Sequence, residues 1–115
     1  MEFGLSETTC DTIRQILAQH PQIEKAVIYG SRAKGNYKNG SDIDLTLMGD
    51  ALDGKVLTEV AWALDESSIP HTVDLSLFGK IENPALREHI ERVGVVFYQR
   101  APSTSSGRTD GESAR

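Results

Sequence analysis

The sequence has little of several features that mark particular classes of protein. Cys10 is the only cysteine among 115 residues, which excludes an internal disulfide bond and argues against a cysteine-based zinc site. No apolar run approaches the roughly 20 residues that a membrane-spanning helix needs. The first residues also lack the basic and apolar segments of a secretory signal. We therefore expect a cytoplasmic protein without a membrane span.

Basic residues are scarce as well. The chain has 12 Lys and Arg against 17 Asp and Glu, for a net charge of -5. Sequence-independent binding to nucleic acid depends on basic side chains that displace phosphate counterions. The composition therefore predicts no strong direct binding to nucleic acid. It is compatible with a nucleotide that arrives with a divalent metal, and with a basic protein partner.

Apolar residues recur with a helical period in three stretches, and four others have the composition of strands, of which SDIDLTL and HTVDLSL alternate strictly. The predicted helices span about residues 6–20, about 54–67 and Pro84 to Gly94, and the predicted strands are IEKAVIYG, SDIDLTL, HTVDLSL and VVFYQ. We expect Trp62 to pack beside the stripe of the second helix. This order predicts a small α/β (α+β) fold with a mixed sheet, whose helices pack on one face and leave the other face for chemistry.

The chain is long enough for one domain with one modest core. We place that domain at residues 1–100. Residues 101–115 contain no large apolar side chain and are rich in Ser, Gly and Thr. Such a composition cannot form a core, so it predicts a disordered C-terminal tail.

Two aspartates interrupt the apolar pattern of SDIDLTL. Because residues two apart on a strand share a side, Asp42 and Asp44 lie opposite the Ile and Leu residues, roughly 6–7 Å from each other. Two such carboxylates repel, and a divalent cation relieves the conflict. Oxygen ligands favour Mg²⁺ or Mn²⁺ over zinc, and a carboxylate pair can bridge two ions in phosphoryl or nucleotidyl transfer. Asp74, on the polar side of HTVDLSL, is the natural third ligand. A lone D-x-D, however, is usually a solvated strand face.

A glycine and a serine follow the first predicted strand. Gly30 allows close approach of a ligand, and Ser31 can begin a helical turn whose backbone N–H groups face a phosphate. Arg32 and Lys34 add positive charge suited to a triphosphate, with Arg32 the stronger candidate. Their alternative role is that of ordinary solubilising charges. The predicted nucleotide-binding set is therefore Gly30, Ser31, Arg32 and Lys34.

These motifs together resemble a known family. Gly30-Ser31, ten residues, then Asp42-Ile43-Asp44, with Asp74 on a later strand, is similar to the DNA polymerase β-like nucleotidyltransferase superfamily. The string GSRAKGNYKNGSDIDL looks most like its minimal nucleotidyltransferase (MNT) branch, whose members are encoded beside HEPN-domain partners. The resemblance covers about residues 10–98. It implies that the three aspartates are catalytic and bind two Mg²⁺ ions, with Mn²⁺ as the alternative, and that the Gly-Ser turn holds the β and γ phosphates of ATP.

The resemblance also implies a biological role. It points to an antitoxin of a type VII HEPN/MNT toxin–antitoxin system, a protein adenylyltransferase that moves AMP from ATP to a tyrosine of the cognate HEPN ribonuclease toxin. Larger members of the superfamily carry an added acceptor-binding domain for which this chain has no residues, so we expect a partner to supply the acceptor. Two alternatives stay open: an antitoxin that acts by binding alone, and a small-molecule nucleotidyltransferase of the aminoglycoside type.

Overall fold

The computed structural model describes residues 3–35 and 42–100 as an alternation of short helices and strands. The elements in chain order are α1 Glu7–Ala18, β1 Lys25–Tyr29, α2 Ser31–Lys34, β2 Ile43–Met48, α3 Gly54–Glu66, β3 Val73–Leu77, a 3-10 turn Phe78–Lys80, α4 Pro84–Val93 and β4 Val95–Gln99. The predicted tail at 101–115 and the middle of the glycine-rich turn at 36–41 lie outside the described residues. Within the described ranges, no helix has the length and apolar character needed to cross a bilayer.

The four strands form one mixed sheet in the order β3-β2-β1-β4. β1 pairs antiparallel with both β2 and β4, whereas β2 and β3 run parallel. A short connection can join antiparallel neighbours, but parallel neighbours need a crossover, and α3 provides it. The predicted mixed sheet is confirmed.

Local chemistry sets the starts of the three long helices. Ser6, Asp53 and Asn83 each precede a helix, and each side chain accepts a hydrogen bond from a backbone N–H two or three residues further on. Such bonds satisfy N–H groups that have no partner within the helix. Pro84, which has no N–H to satisfy, takes the first position of α4. The predicted helix starts are therefore confirmed to within one residue.

The main core lies between one face of the sheet and helices α1 and α3. Leu45 of β2, Ile28 of β1 and Ile13 of α1 are fully buried. The same cluster includes the apolar stripe of α3 and Phe97 of β4. Its members, besides those three, are Leu5, Cys10, Ile16, Leu17, Ile23, Ala26, Ile43, Leu47, Val56, Val60, Leu64, Leu77 and Phe97.

Helices cover one face as predicted for α1 and α3, but α4 departs from that prediction. Val27 points away from the main core because its strand neighbours Ala26 and Ile28 point into it. Ile90 of α4 is 2% exposed, and it lines a common depression with Val27 and Met48. Apolar side chains on the second face are stabilised when they are removed from water, and α4 packs over them there. The face that carries the chemistry is therefore partly shielded.

The packing of Trp62 was predicted wrongly. Its side chain is 66% exposed. The buried stripe of α3 consists of Val56, Val60 and Leu64, and a residue two positions from a stripe member lies about 200° around the helix. Trp62 therefore faces outward.

Candidate active site

Strand register brings the predicted carboxylates to one place. Asp44 of β2 pairs with Asp74 of β3, and it pairs on its other side with Tyr29 of β1. Residues paired across neighbouring strands share a face of the sheet. Tyr29, Asp44 and Asp74 therefore form a row across three strands, on the face opposite the main core.

The charges in this row act on one another. The pKa of Asp44 is raised above its ordinary value, first by burial and then by the negative charges of Asp74 and Asp42, while His89 of α4 has an opposing effect. The pKa of Tyr29 is also raised, mainly by burial, with Asp44 and Asp74 adding to the shift and a hydrogen bond with Ser76 opposing it. Asp42, which directly precedes β2, thus belongs to the same electrostatic cluster.

The Gly30–Ser31 turn lies directly against this cluster. Gly30 has a φ of 77°, in the region that favours glycine, and a Cβ atom there would collide with the Oδ2 atom of Asp44. Ser31 begins the single turn of α2, and the amide of Lys34 donates to the carbonyl of Gly30 over 3.1 Å. A side chain at position 30 would therefore separate the turn from the carboxylates.

The two predicted basic ligands are placed differently. Lys34 is exposed at the end of α2. Arg32 is only 3% exposed, and its Nη1 donates to the backbone oxygen of Phe3 over 2.8 Å. Its Nη2 lies 3.5 Å from Nδ1 of His71. The structure thus brings together Gly30, Ser31 and the three aspartates, whereas Arg32 contacts Phe3 and His71 in other parts of the fold.

The donor set suits a hard divalent cation. Three carboxylates supply only oxygen, which Mg²⁺ and Mn²⁺ prefer. In residues 3–35 and 42–100, no three His, Cys, Asp or Glu side chains already stand in a metal-binding arrangement. The pKa of Asp44 is raised first by burial and then by the like charges of Asp74 and Asp42, and bound positive charge would lower it.

Three residues near the carboxylates were not singled out from the sequence: Tyr29, Ser76 and His89. Strand alternation predicts that Ser76, two residues from Asp74, lies on the carboxylate face, and the same alternation could have placed Tyr29 there. No signal in the sequence places His89, whose ring meets the Tyr29 ring edge-on at 6.3 Å between centroids. Its position depends on how α4 crosses the sheet.

The family comparison agrees with this geometry. The family described as polymerase beta, nucleotidyltransferase, matches residues 11–103. The chain belongs to this family. It is a nucleotidyltransferase with a polymerase beta-like domain, as its motifs predict. No curated protein sequence matches it.

Several solved structures share the fold of this nucleotidyltransferase. A chain in a toxin–antitoxin structure with AMP-PNP has a TM-score of 0.61 and 24% identity, over 78% of this chain and 73% of the other. A chain from the complex of a tri-AMPylated Shewanella oneidensis HEPN toxin with an MNT antitoxin has a TM-score of 0.60 and 21% identity, over 81% and 71%. A chain of an MntA–HepT toxin–antitoxin structure has a TM-score of 0.55 and 20% identity, over 82% and 73%. At these identities the likeness establishes the common fold.

Proposed function

We propose that this nucleotidyltransferase is the MNT antitoxin of a type VII HEPN/MNT toxin–antitoxin system, and that it transfers AMP from ATP to a tyrosine of its HEPN toxin. The observation that carries the proposal is the row of Asp44 and Asp74 directly against the Gly30 turn. It combines a place for phosphate with acidic groups suited to divalent ions. The structural relatives, one with AMP-PNP and one with an AMPylated HEPN toxin, support the choice of nucleotide and acceptor.

Each residue has a distinct part in this proposal. Gly30 and Ser31 hold the β and γ phosphates, because Gly30 has no side chain to keep them away. Asp42, Asp44 and Asp74 would hold two Mg²⁺ ions, or Mn²⁺ in their place. When bound, such ions neutralise charge on the phosphates and stabilise the attacking and leaving oxygens. Lys34, exposed at the end of α2, adds positive charge nearby.

The transfer exchanges one bond for another. The tyrosine oxygen of the toxin forms a bond to the α-phosphorus, and the bond from that phosphorus to the oxygen bridging to the β-phosphate breaks. Pyrophosphate leaves with the electron pair of the broken bond, and the phenol proton passes to solvent water. The residues of the site orient the triphosphate so that this bond faces the acceptor.

The carboxylate site has an open side over which the acceptor can approach. α4 covers part of the carboxylate face, and its His89 ring lies beside Tyr29. Asp74, by contrast, is exposed on β3, which is an edge strand of the sheet. We therefore infer that the toxin tyrosine enters over β3. The net charge of -5 is compatible with a basic nuclease as partner.

Intact mass measurement tests the proposal. We expect that the co-purified HEPN partner, incubated with the wild-type protein, ATP and Mg²⁺, gains the mass of one AMP or a multiple of it. The variant carrying Asp42→Ala with Asp44→Ala should transfer none and should fail to protect cells. The matched control carries Asp65→Ala with Glu66→Ala, which removes two exposed acidic groups of α3. This control should behave as wild type.

Two other outcomes would replace the proposal. Full protection by the double variant at Asp42 and Asp44 would establish an antitoxin that acts by binding alone. AMP added to an aminoglycoside, with the HEPN partner unmodified, would establish a small-molecule nucleotidyltransferase.

A further inference from the structure

We propose that Arg32 is a positioning residue, which fixes the Gly30–Ser31 turn from inside the fold, rather than a ligand of the triphosphate. The inference rests on the proposed nucleotide site at that turn. It assigns to Arg32 and His71 a role that acts through the backbone of the turn and not through contact with substrate.

The contacts of Arg32 are those of a structural anchor. Its side chain is 3% exposed, whereas Lys34, two residues later, is exposed. Burying a guanidinium is costly unless acceptors surround it. Arg32 has the backbone oxygen of Phe3 at 2.8 Å from Nη1 and the Nδ1 atom of His71 at 3.5 Å from Nη2. Burial and the nearby Arg32 both lower the pKa of His71, which favours a neutral ring able to accept.

These contacts join the turn to two distant parts of the chain. The ring of Phe3 packs against that of Phe97 in β4, with centroids 6.1 Å apart. His71 directly precedes Thr72, whose carbonyl accepts from the amide of Ile43 over 2.9 Å. Ile43 stands between the two aspartates of the D-x-D motif. Arg32 therefore ties the phosphate-binding turn to the strands that carry the carboxylates.

The turn needs such an external anchor. α2 is only four residues long, and isolated helical turns are unstable in water. The backbone at Gly30 also lies so close to Asp44 that a Cβ atom would not fit between them. A displacement of about 1 Å in an active site can lower a rate by about 10²-fold. A rigid contact on the buried side of α2 keeps the turn at the required distance.

Variants at His71 test the inference without altering any group proposed to contact the nucleotide. We expect His71→Leu to weaken binding of a non-hydrolysable ATP analogue with Mg²⁺ by about tenfold, because it removes an acceptor from a buried charged donor. His71→Gln, whose amide oxygen can accept, should retain most of the affinity. Arg32→Lys should lose affinity although it keeps the charge, because it loses the planar fork. Lys55→Met, which removes an exposed charge on α3, is the control and should bind as wild type.

Hydrogen exchange of the ligand-free protein gives a second measurement. The amide of Lys34, which closes α2, should exchange faster in His71→Leu than in wild type and recover in His71→Gln. If His71→Leu changes neither exchange nor affinity, Arg32 does not act through this anchor and the inference is wrong. Should Arg32→Lys fail to fold, the two His71 variants decide alone. A protein that shows the exchange effect but transfers no AMP would overturn the proposed function and leave this inference standing.

Discussion

The two faces of β2 are built for different purposes. On one face Ile43, Leu45 and Leu47 are completely buried under α1 and α3. On the other face the half-buried Asp44 has a raised pKa, because it is partly desolvated among like charges. One face supplies stability through apolar burial, and the other holds charged groups in an arrangement that disfavours the folded state. Apolar burial on one face of a strand can therefore offset the cost of holding charged groups on the other face.

The second face is itself divided. Thr46, one step along that face from Asp44, is fully buried, and its Oγ1 accepts a hydrogen bond from the Ser76 hydroxyl over 2.9 Å. Further along, α4 covers Val27 and Met48. The end of the face with the carboxylates stays accessible, since Asp74 is exposed and Asp44 is half-buried. The folded chain thus exposes the charged groups and satisfies the neutral polar ones.

The largest effect on stability should come from the core face. We expect Leu45→Ala to lower the free energy of unfolding by about 2–5 kcal/mol, since it leaves a cavity in a fully buried site. Val96→Ala, at a position that is 49% exposed, should change it by less than about 0.5 kcal/mol. Urea unfolding measures both. Equal losses in the two variants would show that apolar burial on the core face of β2 is not a main source of stability.

The opposite face should show the reverse pattern. We expect Asp44→Asn to lower the rate of AMP transfer by about 10²-fold or more, by analogy with the loss of other electrostatic groups in active sites. Its free energy of unfolding at pH 7 should equal or exceed that of wild type, because the substitution removes a carboxylate whose ionised form is disfavoured in the fold. Transfer assays and urea unfolding test the two parts. A loss of stability like that of Leu45→Ala would contradict the division between the faces.

Variants at Gly30 and Gly35 distinguish two reasons for a glycine: close approach of the backbone to Asp44, and a positive φ. Gly30 and Gly35 both have positive φ, at 77° and 83°, but only a Cβ at Gly30 would meet Asp44, whereas the space at Gly35 is open. We expect Gly35→Ala to cost about 1–2 kcal/mol of stability and to keep activity. Gly30→Ala should cost more and should abolish transfer. If the two variants lose activity equally, contact with Asp44 is not what requires Gly30.

The smallest effect should be a change in pH dependence. Because the folded pKa of Asp44 lies above its ordinary value of 3.8, the folded state binds this proton more tightly than the unfolded state. The contribution of Asp44 to stability is therefore greatest below that value, and it falls as the pH rises through the folded pKa. Asp74→Asn should weaken this fall, because it removes one of the negative charges that raise the pKa.

Carboxyl NMR titration of the metal-free protein measures this effect directly. The pKa of Asp44 should be lower in Asp74→Asn than in wild type. Asp65→Asn on α3 is the matched control and should leave it unchanged. A constant pKa in all three proteins would show that Asp44 and Asp74 do not interact.

Much of the fold and the site is readable from local pattern. The caps at Ser6 and Asn83 begin their helices, and strict alternation assigns Asp44 and Asp74 to one side of their strands. These features depend on residues a few positions apart, so the sequence contains their cause. The exposed Trp62, the placement of α4 and the 3-10 turn at Phe78–Lys80 did not follow from pattern. Each depends on surfaces that meet only after folding.

Local motifs were enough to predict a nucleotidyltransferase, and they nominated the Gly30–Ser31 turn and the three aspartates as its site. Strand periodicity has a fixed geometric meaning, so the side of the strands on which Asp44 and Asp74 lie could be predicted before the fold was known. The contacts of Arg32 with Phe3 and His71 depend on the tertiary structure, because these residues are 29 and 39 positions away along the chain. A buried guanidinium is stable only where acceptors surround its N–H groups. For Arg32, folding brings the acceptors on Phe3 and His71 to the interior.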